Sequence, residues 1–159
     1  MALVLNQQEI SAKAGEGVYA PLPARTFRIS KELEDPCGPA TPCKLTGEFS
    51  SGLPVVTPIT AATDAVYCVI AYDLRKNSFA ANDKVKAWVS DEIVWLEASD
   101  AIALGACVQI GVNGKVATQV AANPVFGFAE SPAGAAGELI AVRMTSPYNV
   151  YGAAVAGGE

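Results

Sequence analysis

Short apolar segments, six to eight residues each, follow one another through the last two thirds of this chain. They are rich in Val, Ile, Tyr and Trp, and turn residues separate them at intervals of roughly 8 to 12 positions, a pattern typical of an all-β sandwich or barrel. The predicted strands are residues 54–60, 66–73, 83–90, 92–98, 106–112, 115–120, 125–130 and 138–144. Strands this closely spaced leave no room for a sizeable helix, so the sequence predicts an all-β fold, a small barrel or sandwich of short antiparallel strands.

Two short connections predict which strands are neighbours. Asn113-Gly114 separates residues 106–112 from 115–120, and both residues tolerate the positive φ that a type I′ hairpin turn needs. A second connection, at Ser90-Asp91, is predicted to fold residues 92–98 back on residues 83–90. In residues 83–90, strand alternation predicts Val85 and Ala87 on one face and Lys84, Lys86 and Trp88 on the other.

Prolines divide the chain into two unlike parts. Seven of the ten fall within the first 58 residues, at positions 21, 23, 36, 39, 42, 54 and 58. Because proline cannot donate a hydrogen bond to a sheet, this density favours turns, edge strands and extended chain. We therefore expect an irregular N-terminal arm over residues 1–60, which includes a short strand at residues 26–30 and ends in the predicted strand at 54–60, then a β-rich domain over 61–145 and a tail of small residues over 146–159.

The absence of histidine excludes the commonest catalytic and metal-binding chemistry. Without histidine, a Ser-His-Asp triad, a Cys-His dyad and a histidine-based zinc site cannot form. The carboxylates are scattered along the sequence. The formal net charge is -5, and the sequence has no cluster of Lys and Arg of the kind that binds nucleic acid. We expect no enzyme activity, no catalytic residue, no cofactor, no metal and no nucleic-acid partner. A glycosidase that uses carboxylates alone is the weakest of the alternatives, since it needs two facing carboxyl groups.

The four cysteines leave one question open. Cys37 and Cys43 bracket a short loop, and a disulfide between them stays possible although cytoplasmic synthesis argues against it. Cys68 and Cys107 lie inside apolar segments and are expected to be small buried hydrophobic residues. A four-cysteine zinc site is disfavoured, because it needs two closely spaced pairs.

The first residues, MALVLNQQEISAKAG, lack the positive charge and the long apolar run of a signal peptide. No segment approaches the roughly 18 apolar residues that a membrane span needs. We therefore expect synthesis in the cytoplasm and no membrane partner.

Aromatic residues are the candidates for contacts with partners. Tyr148 and Tyr151 lie in the uncharged tail, which is either frayed or docked on a neighbouring subunit, since tyrosines are good interface anchors. Phe27, in the short strand of the arm, is the third candidate interface residue. Trp88 and Trp95 lie in adjacent predicted strands, where they are either core residues or a platform for a sugar.

The order of motifs from Tyr67 to Met144 resembles the cement, or head-decoration, proteins of tailed bacteriophages. The motifs are Ala-Ile-x-x-Gly-x-x-Val at 101–108, Asn-Gly-Lys-Val at 113–116, Val-Phe-Gly-Phe-Ala at 125–129 and Gly-Glu-Leu-Ile-Ala-Val at 137–142. The resemblance covers about half of the chain. It implies a β-rich module on the outer surface of an icosahedral capsid, bound to the shell of major capsid protein and to further copies of itself, with a homotrimer favoured and a dimer possible. A non-catalytic module that binds a carbohydrate or protein ligand is the alternative.

Overall fold

The chain forms two β-sheets. The computed structural model describes residues 18–19, 25–120 and 122–145. The strands are β1 (Val18–Tyr19), β2 (Arg25–Ile29), β3 (Pro42–Ser50), β4 (Leu53–Pro58), β5 (Cys68–Ile70), β6 (Lys84–Trp88), β7 (Ile93–Glu97), β8 (Cys107–Ile110), β9 (Val116–Thr118), β10 (Gly127–Ala129) and β11 (Leu139–Met144). The described residues contain no helix, and therefore no helix able to cross a membrane. The predicted all-β fold is confirmed.

The first sheet is a closed five-stranded barrel in the order β2-β4-β3-β5-β6. Strands β2 and β4 pair in parallel, and the other barrel pairings are antiparallel. The expectation of antiparallel strands is therefore wrong for the β2–β4 pairing. Because side chains alternate along a strand, every second one points into the barrel. Phe27 and Ile29 of β2 meet Val85 and Ala87 of β6 there in one buried cluster. Closure leaves this sheet without a free edge.

The second sheet has six strands in the order β1-β7-β11-β10-β8-β9, and every pairing in it is antiparallel. The longest pairing joins β7 to β11, where Val94 lies opposite Val142 and Leu96 lies opposite Ile140. These four side chains are almost completely buried on the inner face of the sheet.

The barrel and the six-stranded sheet share packed side chains. In β5 the alternation sends Cys68 and Ile70 into the barrel interior and Val69 into the core of the other sheet. Ile59 and Val66, in the connection between β4 and β5, join the same cluster as Val69. The two sheets therefore form one packed unit in the described part of the chain.

Residues 25–58, which the sequence places in an irregular arm, supply three of the five barrel strands. The prolines fit because they lie at places where a missing N–H is tolerated. Pro42 begins β3 and Pro58 ends β4, while Pro54 lies next to the turn of the β3–β4 hairpin. The boundary predicted at residue 60 therefore does not separate an arm from the β domain.

The turns differ in detail from the prediction. The hairpin at Asn113-Gly114 is confirmed, since it joins β8 to β9, but only Gly114 of the two has a positive φ, so the turn is not type I′. Both central residues of the β3–β4 turn, Ser51 and Gly52, have the positive φ of a type I′ turn instead. The predicted β6–β7 hairpin is wrong, because Ser90-Asp91 leads the chain out of the barrel into the other sheet.

Candidate interaction surfaces

The three predicted interface residues are not brought together by the described structure. Phe27 is 2% exposed and packs edge-on against Tyr67 inside the barrel, with ring centroids 6.0 Å apart. This position does not support an interface role, because the side chain offers a partner almost no surface. Tyr148 and Tyr151 lie outside the described residues, so their interface role stays a prediction.

The four cysteine thiols are free, so Cys37 and Cys43 form no disulfide. Cys43 lies opposite Cys68 on β3 and β5, and both are buried in the barrel. A hydrogen bond with the Cys68 thiol, together with burial, raises the pKa of Cys43 well above its usual value. Burial also raises the pKa of Cys37, whose thiol donates to the carbonyl of Phe79. Within the described ranges, no three Cys, Asp or Glu side chains are grouped to hold a metal ion.

The two tryptophans lie in different sheets, Trp88 on β6 and Trp95 on β7, so the prediction of adjacent strands is wrong. Trp88 lines a groove of about 540 Å³ on the outside of the barrel, which we call the aromatic groove. Its other lining residues include Tyr72, Leu74, Arg75, Lys84 and Lys86. The indole N–H of Trp88 is buried and has no acceptor in the described part of the chain, so a ligand in the groove would meet the ring and not the N–H.

A second cleft, of about 330 Å³, lies where the barrel meets the six-stranded sheet. Pro42 and Pro58 line its barrel side, and Glu97 and Lys115 line its other side. The ammonium group of Lys115 donates to the carboxylate of Glu97, so the two charges neutralise each other. The cleft therefore offers no free charge from this pair to a ligand.

Cations without a carboxylate partner gather on two barrel strands. Of the ten Lys and Arg residues in the described ranges, five lie within 4 Å of a carboxylate, namely Lys44, Arg75, Lys76, Lys115 and Arg143. Four of the other five lie on β2 and β6, which pair directly. Val85 and Ala87 point inward from β6, so Lys84 and Lys86 point outward, as the sequence predicts.

We call Arg28, Lys84 and Lys86 the basic face. The register sets Arg28 directly opposite Lys84, and one N–H of the Arg28 guanidinium donates to the carbonyl of Asn82 at 2.8 Å. Sequence reasoning missed this surface, because Arg28 and Lys84 are 56 positions apart and only the barrel closure pairs them. The alternation of Lys84 and Lys86 was the one local signal of it.

Eight of the thirteen carboxylates in the described ranges have no Lys or Arg within 4 Å, and three of the eight, Glu32, Glu34 and Asp35, lie close together in one exposed segment, which we call the acidic loop. All three are exposed, and no Lys or Arg in the described ranges lies within 4 Å of them. The loop follows β2 and begins within the β-turn in which the N–H of Leu33 donates to the carbonyl of Ser30.

Two other carboxylates hold loops in place. Asp64 accepts from the ammonium of Lys44 at 2.8 Å and from the backbone N–H groups of Thr60 and Ala61, which lowers its pKa to about 2. The hydrogen bond from Lys76 lowers the pKa of Asp83 in the same way. Both groups are engaged within the chain and are poor candidates for catalysis or ligand binding.

Comparison with known proteins gives a likeness in fold. No family model matches the chain, and no curated protein matches it. Among solved structures, the fold is similar to the N base of the head fiber gp8.5 of bacteriophage phi29, with a TM-score of 0.50 and 14% sequence identity. The alignment covers 77% of this chain and 92% of that one, so the likeness extends over both sheets rather than over a single hairpin.

Proposed function

We propose that this chain is a structural cement protein of a bacteriophage head, which binds the outer surface of the icosahedral shell and bridges neighbouring shell subunits. The observation that carries the proposal is the fold likeness to the base of a phage head fiber over most of the chain. The motif order from Tyr67 to Met144, which resembles head-decoration proteins, supports it independently.

The physical role follows from multivalent attachment. A shell packed with DNA is under outward stress, and a protein that contacts several subunits at once strengthens each junction without any single strong contact. Such a protein needs a rigid body, and the two packed sheets with shared core residues supply one. The role requires no cofactor and no catalytic base, in keeping with a chain that has no histidine.

Self-association is part of the proposal, as a homotrimer in preference to a dimer. Several copies joined at one shell position multiply the number of shell contacts that each assembly makes, which raises the effective concentration of every further contact. The head fiber likeness does not bear on the number of copies, so the trimer rests on the resemblance to decoration proteins.

Shell stabilisation can be measured directly. Bare and decorated DNA-filled shells are heated with a dye that fluoresces on released DNA. We expect the decorated shells to release their DNA at a higher temperature, and heat-denatured protein to give no shift. Identical release temperatures at saturating native protein would contradict the cement role.

The aromatic groove favours a second candidate, a module that binds carbohydrate. Trp88 and Tyr72 both line the groove, and aromatic rings are common contact surfaces for ligands that have one apolar face. A panel of glycans screened by thermal shift tests this candidate. A hit that Leu74→Ala weakens would support it, because Leu74 is an exposed residue of the groove.

A further inference from the structure

In the described ranges, no carboxylate lies within 4 Å of the charged groups of the basic face, and Asp73, which lines the same groove as Lys84 and Lys86, pairs with Arg75 instead. Arg28 lies directly opposite Lys84, and like charges directly opposite each other on paired strands are destabilising. Lys86 follows two positions along β6, about 6.6–6.8 Å further at ordinary strand spacing. Because the chain as a whole carries a net charge of -5, this local excess of positive charge is unusual for the molecule.

The acidic loop has the opposite charge. Its three carboxylates, those of Glu32, Glu34 and Asp35, lie within four consecutive positions of an exposed segment, so one loop presents them together. The loop lies outside the barrel strands, where a neighbouring molecule can reach it. Within one chain the two charged surfaces make no ion pair with each other in the described ranges.

We propose that the acidic loop of one copy lies on the basic face of a second copy. This contact deepens the self-association included in the proposed function by naming the surfaces through which copies meet. The carboxylates of Glu32 and Glu34 remove the repulsion between Arg28 and Lys84, and each copy gains two reciprocal sets of ion pairs. Complementary charge also steers the two copies into one register.

The aromatic groove completes the contact. Exposed ion pairs contribute little by themselves, because water screens them and long side chains lose freedom. Lys84 and Lys86 line the groove together with Trp88 and the 67% exposed side chain of Leu74, so a copy seated on the basic face also covers apolar surface. This burial removes water from around the charges and strengthens their attraction.

The symmetry follows from the two surfaces being different. A contact between unlike surfaces makes a closed ring when the rotation between copies closes, as in a trimer, and two such contacts related by a two-fold axis make a dimer. In both assemblies every copy uses both its basic face and its acidic loop.

A charge swap tests the contact with purified protein alone. Sedimentation velocity compares the wild type with Lys84→Glu/Lys86→Glu, with Glu32→Lys/Glu34→Lys and with the variant that carries all four substitutions. We expect the wild type to associate, and its apparent Kd to rise at least about tenfold between about 50 and 500 mM salt. The apparent Kd of each double variant should be at least about tenfold higher than that of the wild type. The fourfold variant, which carries all four substitutions, should have an apparent Kd within about threefold of the wild-type value.

Matched controls separate this contact from net charge and from unfolding. The variant with all four substitutions has the net charge of the wild type. Lys115→Glu/Arg143→Glu changes the net charge by the same amount as Lys84→Glu/Lys86→Glu but lies away from the basic face, so association should be unaffected. Thermal melting confirms that each variant is folded. A wild type that stays monomeric, or a folded fourfold variant that fails to recover, would overturn the contact.

Shell binding is measured separately on the same variants, so the two proposals can fail independently. If Lys84→Glu/Lys86→Glu associates with itself as the wild type does and loses shell binding, the basic face belongs to a shell subunit and the contact between copies is overturned. If the charge swap behaves as expected and no variant binds shells, the contact stands and the cement role does not.

Discussion

At the scale of single residues, Gly127 is a position in the six-stranded sheet that has no room for a side chain. It begins β10, opposite Met144 of β11. A Cβ atom at this position would overlap the carbonyl oxygen of Arg143 and lie 2.9 Å from Cγ1 of Val142. Glycine is therefore required by the close approach of two backbones and not by an unusual φ.

Gly127→Ala should lower the free energy of unfolding by at least about 1–3 kcal/mol, because the clash is with backbone, which cannot rotate away. Denaturant unfolding measures the loss. Gly134→Ala is the matched control, since its nearest neighbours would be ordinary contacts at 3.6 Å. Equal stabilities for the two variants would show that β10 and β11 are not packed this closely.

Side-chain direction could be predicted from sequence only where polar and apolar residues alternate. β6 alternates cleanly, so the inward Val85 and the outward Lys86 were predictable. The segment of Phe27 also alternates, but it was assigned to an irregular arm, so the burial of Phe27 by closure against β6, far along the chain, was not predicted. The basic face was missed for the same reason.

At the scale of elements, the β3–β4 hairpin depends on a turn in which Ser51 has a φ of 51° and Gly52 a φ of 77°. A left-handed backbone costs an ordinary residue roughly 1–2 kcal/mol, and Asn tolerates it better than Ser. Ser51→Asn should therefore raise the free energy of unfolding by about 0.5 kcal/mol.

Thermal or denaturant unfolding checks this gain, and Ser51→Ala is the control that keeps the strained φ without the benefit of the amide. A gain with Ala as large as with Asn would contradict the type I′ assignment. The turn was overlooked in the sequence because the following strand begins with Leu53-Pro54, and proline suggested irregular chain.

The connection between β4 and β5 is fastened to β3 by Asp64, whose side chain is 18% exposed and bonds to Lys44. The pKa of Asp64 is lowered from 3.8 to about 2, so its ionised form stabilises the fold above about pH 4, and this stabilisation is lost as the pH falls towards 2. Allowing for solvent screening, the contribution at neutral pH is about 1 kcal/mol.

Asp64→Asn should therefore be about 1 kcal/mol less stable than the wild type at pH 7, with the difference closing as the pH approaches 2. Denaturant unfolding at several pH values measures both curves. Because Asp83 titrates in the same direction in both proteins, only the difference between them reports on Asp64. A difference that does not change with pH would contradict the bond from Lys44.

Most strands could be predicted from sequence, and most pairings could not. The eight predicted strands correspond to β4 to β11. These strands could be predicted because each is buried on at least one face and therefore contains apolar residues. β3 was missed because residues 46–49 are exposed and do not alternate between polar and apolar side chains, and because Pro42 and Gly47 lie within the strand. The turn signal at Ser90-Asp91 correctly indicated a change of direction, but a turn does not determine which sheet the next strand joins.

At the scale of the whole molecule, the barrel and the six-stranded sheet are joined because Val69 of β5, with Ile59 and Val66 before it, packs into the core of the six-stranded sheet. The barrel closes through the parallel pairing of β2 with β4 and the pairing of β2 with β6. Both join distant parts of the chain, so neither leaves a local signal in the sequence. Likewise the resemblance to decoration proteins, which covers residues 67–144, gave no indication that residues 25–58 supply three strands of the barrel.

The proposed cement role depends on binding to an assembled phage head. Purified protein is mixed with assembled phage shells, and separately with unassembled shell subunits, and sedimentation separates bound from free protein. We expect saturable binding to the assembled shells at a fixed ratio of protein to shell subunits, and no binding to free subunits. Protein that stays in the supernatant with intact shells, at any ratio and at low salt, would contradict it.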